Sequence, residues 1–166
     1  MRLTAFLFTA LLTTLPATPL TAQEQSNVLV PPQLRVQLVA DLEHQQLDDV
    51  MSLFTTDATW VDSNAHSFSG GPAIRSMLAD LFAHKSLHVQ LTLTNQRLNG
   101  EPYTPSALQE FGTYLDAIQA KNKASISREC GLFHFTYTRN PEGGWLISRA
   151  EWTTRPCPAV PVAASR

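Results

Sequence analysis

Leu47-Asp-Asp-Val-Met-Ser-Leu-Phe54 is followed by Thr55-Thr-Asp-Ala-Thr-Trp-Val-Asp62 and, beyond a short loop, by Ser69-Gly-Gly-Pro-Ala-Ile-Arg-Ser-Met-Leu78. Leu47, Val50, Met51 and Phe54 stand at i, i+3, i+4 and i+7, the spacing of one helix face. Thr55-Thr56-Asp57 breaks that helix. Ala58 to Asp62 then reads as a strand, with Trp60 and Val61 supplying bulk. Side chains alternate along a strand, so Ala58, Trp60 and Asp62 share one face. Ser63 to Ser69 is a loop or a short returning strand around His66 and Phe68. Gly70-Gly71-Pro72 opens a further helix, whose stripe is Ile74, Met77, Leu78, Leu81 and Phe82.

The pattern extends in both directions. Upstream, Pro31-Pro32 starts a helix whose apolar stripe is Leu34, Leu38 and Leu42, with Val39 beside it. Downstream of Ser86 the helical repeat gives way to alternation: Val89, Leu91 and Leu93 against Gln90, Thr92 and Thr94. Ser127 to Arg139 alternates again, with Phe133, Phe135 and Tyr137 on one face. Asn140 to Gly144 is a turn by composition, and Trp145 to Thr153 is the last strand. Ser106 to Gln119 supports two readings: Leu108, Phe111, Leu115 and Ile118 suit a helix, whereas Phe111, Thr113, Leu115 and Ala117 alternate as a strand. Helices followed by a run of antiparallel strands is an α+β order.

Two segments, Leu47 to Phe82 and the closing hairpin Gly131 to Trp152 with its Gly-Gly-Trp-Leu-Ile-Ser-Arg, resemble the NTF2-like superfamily, in particular its SnoaL-like branch and the ketosteroid isomerases. The resemblance implies an α+β cone of three N-terminal helices packed on a curved, mainly antiparallel sheet, spanning residues 31–155. It implies a strand over Ser106–Gln119, and a homodimer formed through the outer face of the sheet. It also places Asp62 where ketosteroid isomerases carry their catalytic base. Those enzymes hold the developing enolate with a tyrosine and a protonated aspartic acid. The matching positions here are Leu38 and a site near Phe133, both apolar, so the oxyanion hole of a ketosteroid isomerase is missing.

Residues 1–22 have the form of a secretory signal: Arg2, an apolar Leu3–Leu15 without acidic residues, and a small-residue end at Leu20-Thr21-Ala22. The apolar core is too short and too rich in threonine to suit a membrane span. The expected location is therefore secreted or periplasmic, with 23–30 a mobile leader and 156–166 a proline-rich tail. The formal net charge is -2, and no basic run exists. Nucleic acid and, after signal cleavage, membrane surfaces are poor partners for such a chain.

Asp62 is the first candidate for chemistry. In an apolar cone its carboxylate would have a raised pKa and act as a general base. The competing reading is a turn aspartate bonded to backbone amides beside Ser63-Asn64. Trp60, His66, Phe68, Glu129, Phe133, Phe135 and Trp152 are candidate ligand contacts, Glu129 because it shares parity with Phe133 and Phe135. The five histidines show no metal-ligand spacing, and no metal or cofactor is expected. Folding Ser127–Arg139 back on Gly144–Thr153 sets Cys130 opposite Thr153 or Thr154. Cys157 follows closely, so a Cys130–Cys157 disulfide is expected in an exported chain. Three functions fit: a pocket binding a small apolar molecule, a cofactor-independent isomerase, cyclase or lyase using Asp62, and an assembly module with a vestigial pocket.

Overall fold

The computed structural model describes residues 30–101, 104–122 and 124–158. The expected signal, most of the leader and the end of the tail lie outside them. Among the described residues the order is α1 (Pro31–His44), α2 (Leu47–Ser52), β1 (Phe54–Val61), β2 (Ser67–Ser69), α3 (Gly71–His84), β3 (Lys85–Glu101), β4 (Thr104–Ala120), β5 (Ile126–Arg139) and β6 (Trp145–Arg155). The helices therefore do not all precede the sheet: β1 and β2 intervene between α2 and α3.

The six strands form one mixed sheet in the order β2-β1-β6-β5-β4-β3. β1 runs parallel to β6, and every other neighbouring pair is antiparallel. β1 starts at Phe54 rather than Ala58. Phe54 is paired with Ile147, and the Ile147 amide donates to the Leu53 carbonyl at 2.8 Å, so the sheet takes over as soon as α2 ends. β4 is a strand throughout. It is laddered to β3 on one side and β5 on the other, and this non-local pairing outweighs the local helical spacing of Leu108, Phe111, Leu115 and Ile118.

The core lies between the helices and one face of the sheet. Leu34, Leu38 and Leu42 of α1, Val50 of α2 and Ile74, Leu78 and Phe82 of α3 meet Trp60, Phe133, Phe135, Tyr137, Ile147 and Trp152. Gly112 and Gly131 leave room for the rings of Phe133 and of Tyr114, a buried residue of β4, over the strands. A Cβ on Gly112 would stand 2.4 Å from the Phe133 ring, and one on Gly131 2.5 Å from the Tyr114 ring. Each glycine is the direct cross-strand partner of the aromatic that covers it.

Glu110 is fully buried on the same face of β4. Its carboxylate receives Arg35 of α1, the Tyr137 hydroxyl at 2.8 Å and the Gln96 amide at 2.7 Å. This network ties the first helix to three strands. Cys130 and Cys157 are disulfide-bonded, with Cα atoms 5.0 Å apart. Cys130 pairs with Arg155 rather than Thr153 or Thr154, because a bulge between Thr136 and Tyr137 shifts the β5–β6 register.

Candidate functional site

Between the helices and the sheet is a cavity of about 370 Å³. Its apolar wall comes from every layer: Leu42 of α1, Met77 and Leu81 of α3, Leu87 and Val89 of β3, and Trp60 and Trp152 of the sheet. Trp60 and Trp152 lie against each other with centroids 5.7 Å apart, and Tyr114 meets Trp152 edge-on at 5.2 Å. The result is a continuous aromatic floor.

The polar part of the wall comes from the neighbouring strands β4 and β5. Asp116 and Glu129 are direct cross-strand partners, and both line the cavity. Their side chains enter the same face as Glu110, Tyr114 and Phe133 because strand residues alternate. The Tyr114 hydroxyl donates to Glu129 Oε1 at 2.8 Å. Burial, followed by Glu129, raises the Tyr114 pKa well above that of an ordinary phenol, so Tyr114 stays a neutral donor. Thr154 Oγ1 stands 3.4 Å from the same Glu129 oxygen and 3.2 Å from the Ser63 carbonyl. Among the described residues, the Asp116 Oδ1 is sealed from solvent and meets no donor. Burial, with the Glu129 charge beside it, pushes the Asp116 carboxyl up to about 7.

Asp62 also lines the cavity, just beyond the end of β1. Its carboxylate is engaged in its own turn. Oδ1 accepts the backbone N–H groups of Asn64 at 2.9 Å and His66 at 2.8 Å, and Oδ2 is 3.0 Å from His66 Nδ1. Burial raises its pKa, but the His66 and Asn64 hydrogen bonds outweigh that and hold it below the usual carboxylate value. The expected rise is thus reversed, and the bonding is that of the turn-aspartate reading.

Of the other candidates, Trp60, Phe68, Glu129 and Trp152 line the cavity. His66 is exposed beside Asp62, and Phe133 and Phe135 are buried in the core rather than on the cavity wall. Leu38, at the family's tyrosine position, is fully buried and apolar. Sequence reasoning missed Tyr114 and Asp116. The available signal was parity in β4: Leu108, Glu110, Tyr114, Asp116 and Ile118 form one alternating set. The more apolar-looking set, Phe111 and Leu115, faces outward instead, where Phe111 stacks on His134 at 4.3 Å and Leu115 is exposed. Among the described residues, no group of three or more His, Cys, Asp or Glu is placed to hold a metal ion. No described helix is long and apolar enough to cross a membrane.

No protein-family profile matches the chain, and no curated protein does. Solved structures do. A ketosteroid isomerase-like protein from Erwinia carotovora atroseptica superposes with a TM-score of 0.68 at 8% identity, covering 80% of this chain and 99% of that one. A proposed scytalone dehydratase from Novosphingobium aromaticivorans gives 0.60 at 13% identity, covering 81% and 92%. A proposed dehydratase of the NTF2-like family from Streptomyces avermitilis gives 0.60 at 12% identity, covering 75% and 93%. At such identities the likeness is one of architecture, and the chain has the NTF2-like fold that its sequence resembles.

Proposed function

We propose that this chain is an exported domain whose cone binds a small, largely apolar molecule. The observation that carries the reading is the cavity itself: about 370 Å³, floored by Trp60 and Trp152 and walled by leucine, valine and methionine. That volume is in the range of small-molecule sites, and the apolar floor is bordered by polar groups that can orient a ligand. An assembly module with a vestigial pocket would have its cone filled by side chains. Export is supported by the form of residues 1–22 and by the Cys130–Cys157 bond, which suits an oxidising compartment. A homodimer through the outer face of the sheet is proposed from the resemblance, supported by exposed Leu115 there.

The test is a screen of neutral bicyclic and tricyclic compounds by thermal shift, with quenching of Trp60 and Trp152 fluorescence as the second readout. Saturable binding is expected, and Leu81→Trp, which fills the cavity, abolishes it. Binding that survives Leu81→Trp places the ligand elsewhere and overturns the reading.

A second reading, cofactor-independent proton transfer, is favoured by one observation: the Asp116 carboxyl is poised near 7 in an apolar cavity. A general base is most effective with a pKa near the working pH. On this reading Asp116, rather than Asp62, takes the proton, and Tyr114 and Glu129 supply the adjoining hydrogen-bonded pair. Asp116→Asn then eliminates turnover of any substrate found, whereas Asp62→Asn leaves most of it.

A further inference from the structure

We propose that the cavity selects an apolar organic cation: an amine whose hydrocarbon body lies on the Trp60–Trp152 floor and whose ammonium sits against Asp116 and Glu129. This rests on the small-molecule reading above and names the chemical class of the ligand.

The argument starts from charge. The cavity is lined by four acids, Asp62, Asp80, Asp116 and Glu129, and by two basic side chains, His84 and Lys85. His84 is already engaged. Its Nδ1 is 2.8 Å from the Asp80 carbonyl and 3.4 Å from the Asp80 carboxylate, in the last turn of α3. Lys85 opens β3, whereas the residue of β3 paired with Asp116 is Val89. Four residues of strand separate them, about 13 Å at the usual rise. Asp62 is satisfied by its own turn. Among the described residues of the wall, the acids without a countercharge are therefore Asp116 and Glu129, side by side on adjacent strands. Near the Val89 edge the other charged groups are Glu43, which accepts the Val89 N–H at 2.8 Å, and His88, 2.8 Å from the same Glu43 oxygen. Among the described residues there, these add a further acid, and the basic side chain they bring is already paired with it.

Two further observations point to a ligand rather than to a solvated acidic patch. Asp116 lines the cavity, and its carboxylate carries an oxygen, Oδ1, that has no hydrogen-bond partner among the described residues. Buried polar groups are normally hydrogen-bonded, and their desolvation is offset only when a partner arrives. The second observation is the floor. Indole faces take up apolar surface, and it is the hydrocarbon body of the amine that lies on them. A neutral ligand would use the floor and leave the carboxylates unmatched. A carboxylate ligand would be repelled by them.

The test uses matched probes with one hydrocarbon body and three heads: 1-adamantanamine, 1-adamantanol and 1-adamantanecarboxylic acid, titrated calorimetrically into the disulfide-intact protein. Near pH 8 the amine is expected to bind at least about tenfold more tightly than the alcohol, with the acid weakest. Lowering the pH to about 5.5 protonates Asp116 and shrinks the preference severalfold, while the amine itself stays charged. Asp116→Asn brings amine and alcohol to similar affinity, and Glu129→Gln reduces the preference in part. Circular dichroism and the thermal transition of each variant report whether it folds. Equal affinity of amine and alcohol in the wild-type protein overturns the cation assignment and leaves the apolar pocket standing. Absence of binding by all three overturns the pocket reading and this inference with it. An amine preference that survives Asp116→Asn and Glu129→Gln in folded protein places the cation elsewhere and also overturns the inference.

Discussion

Asp116→Asn removes a charge that the fold holds at a cost, and its effect on stability should depend on pH. The carboxyl moves from an ordinary 3.8 to about 7, first through burial and then through the Glu129 charge. Every tenfold gain in proton affinity corresponds to about 1.4 kcal/mol between protonation states. The whole rise therefore sets a ceiling of about 4 kcal/mol. Asp116 keeps some contact with the cavity, and relaxation around a half-buried charge lowers the figure, so about 2 kcal/mol is the working expectation. The sign follows from proton binding. The folded protein holds this proton more tightly than the unfolded chain does. The stability it contributes is fully present below the unfolded value, near pH 4, and is lost as pH rises through about 7. Asparagine keeps a neutral side chain of the same shape at every pH.

The variant and the wild type should thus be nearly equal in stability near pH 4. The variant should gain progressively between about pH 4 and 7 and level off about 2–4 kcal/mol more stable near pH 8. Urea unfolding followed by tryptophan fluorescence, with the disulfide intact, measures the difference at each pH. Combining the change with Glu129→Gln closes a double-mutant cycle. The coupling should appear as pH rises through about 7, where Asp116 ionises beside Glu129. A stability difference that is the same near pH 4 and near pH 8 would refute the reasoning, because it would mean that Asp116 titrates alike in the folded and unfolded chain.

Three other outcomes follow from the geometry. Glu110→Ala strands the Tyr137 hydroxyl, the Gln96 amide and the Arg35 guanidinium around a buried site, and should cost about 3–5 kcal/mol in urea unfolding. Gly131→Ala puts a Cβ 2.0 Å from the Thr153 carbonyl and 2.5 Å from the Tyr114 ring, so it should lower stability by several kcal/mol, about 3 or more, and displace Tyr114 from Glu129, visible as a changed near-ultraviolet circular dichroism signal. Replacing both Cys130 and Cys157 by serine opens a loop with a sequence separation of 27 and should cost about 3–4 kcal/mol, while thiol titration of the denatured, unreduced wild type should find no reactive thiol.

The sequence carried the architecture where the signal was local. The stripes Leu34-Leu38-Leu42 and Ile74-Leu78 became buried helix faces, and the Phe133-Phe135-Tyr137 alternation became the buried face of β5. Where the deciding interaction was distant, reading along the chain fell short. Phe54 fits the α2 stripe by spacing, but Ile147, far away in sequence, makes it the first residue of β1. The Cys130 partner was displaced by one bulge that no composition announces. In β4 the difficulty was parity. Phe111 and Leu115 suggest an inward face, whereas the charged and polar set Glu110, Tyr114 and Asp116 points in, because Arg35, Gln96 and Tyr137 are there to meet Glu110 and an open cavity is there to meet Asp116.

The same contrast separates the two carboxylates at the cavity. Asp62 was conspicuous in the sequence because it ends a strand inside a helix–strand–helix order. That position also engages it: a strand end is followed by a turn, and the turn amides of Asn64 and His66 are delivered to its Oδ1. Asp116 sits in mid-strand, where the backbone amides are committed to the β3 and β5 ladders and none is free to turn toward a side chain. Its cross-strand neighbour is another acid, already bonded by Tyr114, whose ring is held in place by the missing side chain of Gly131. A mid-strand carboxylate facing an apolar cavity is left to be matched by something outside the chain. On the proposed reading, the ligand-seeking group of this cone is the one its local sequence advertises least, and its setting comes from three strand pairings.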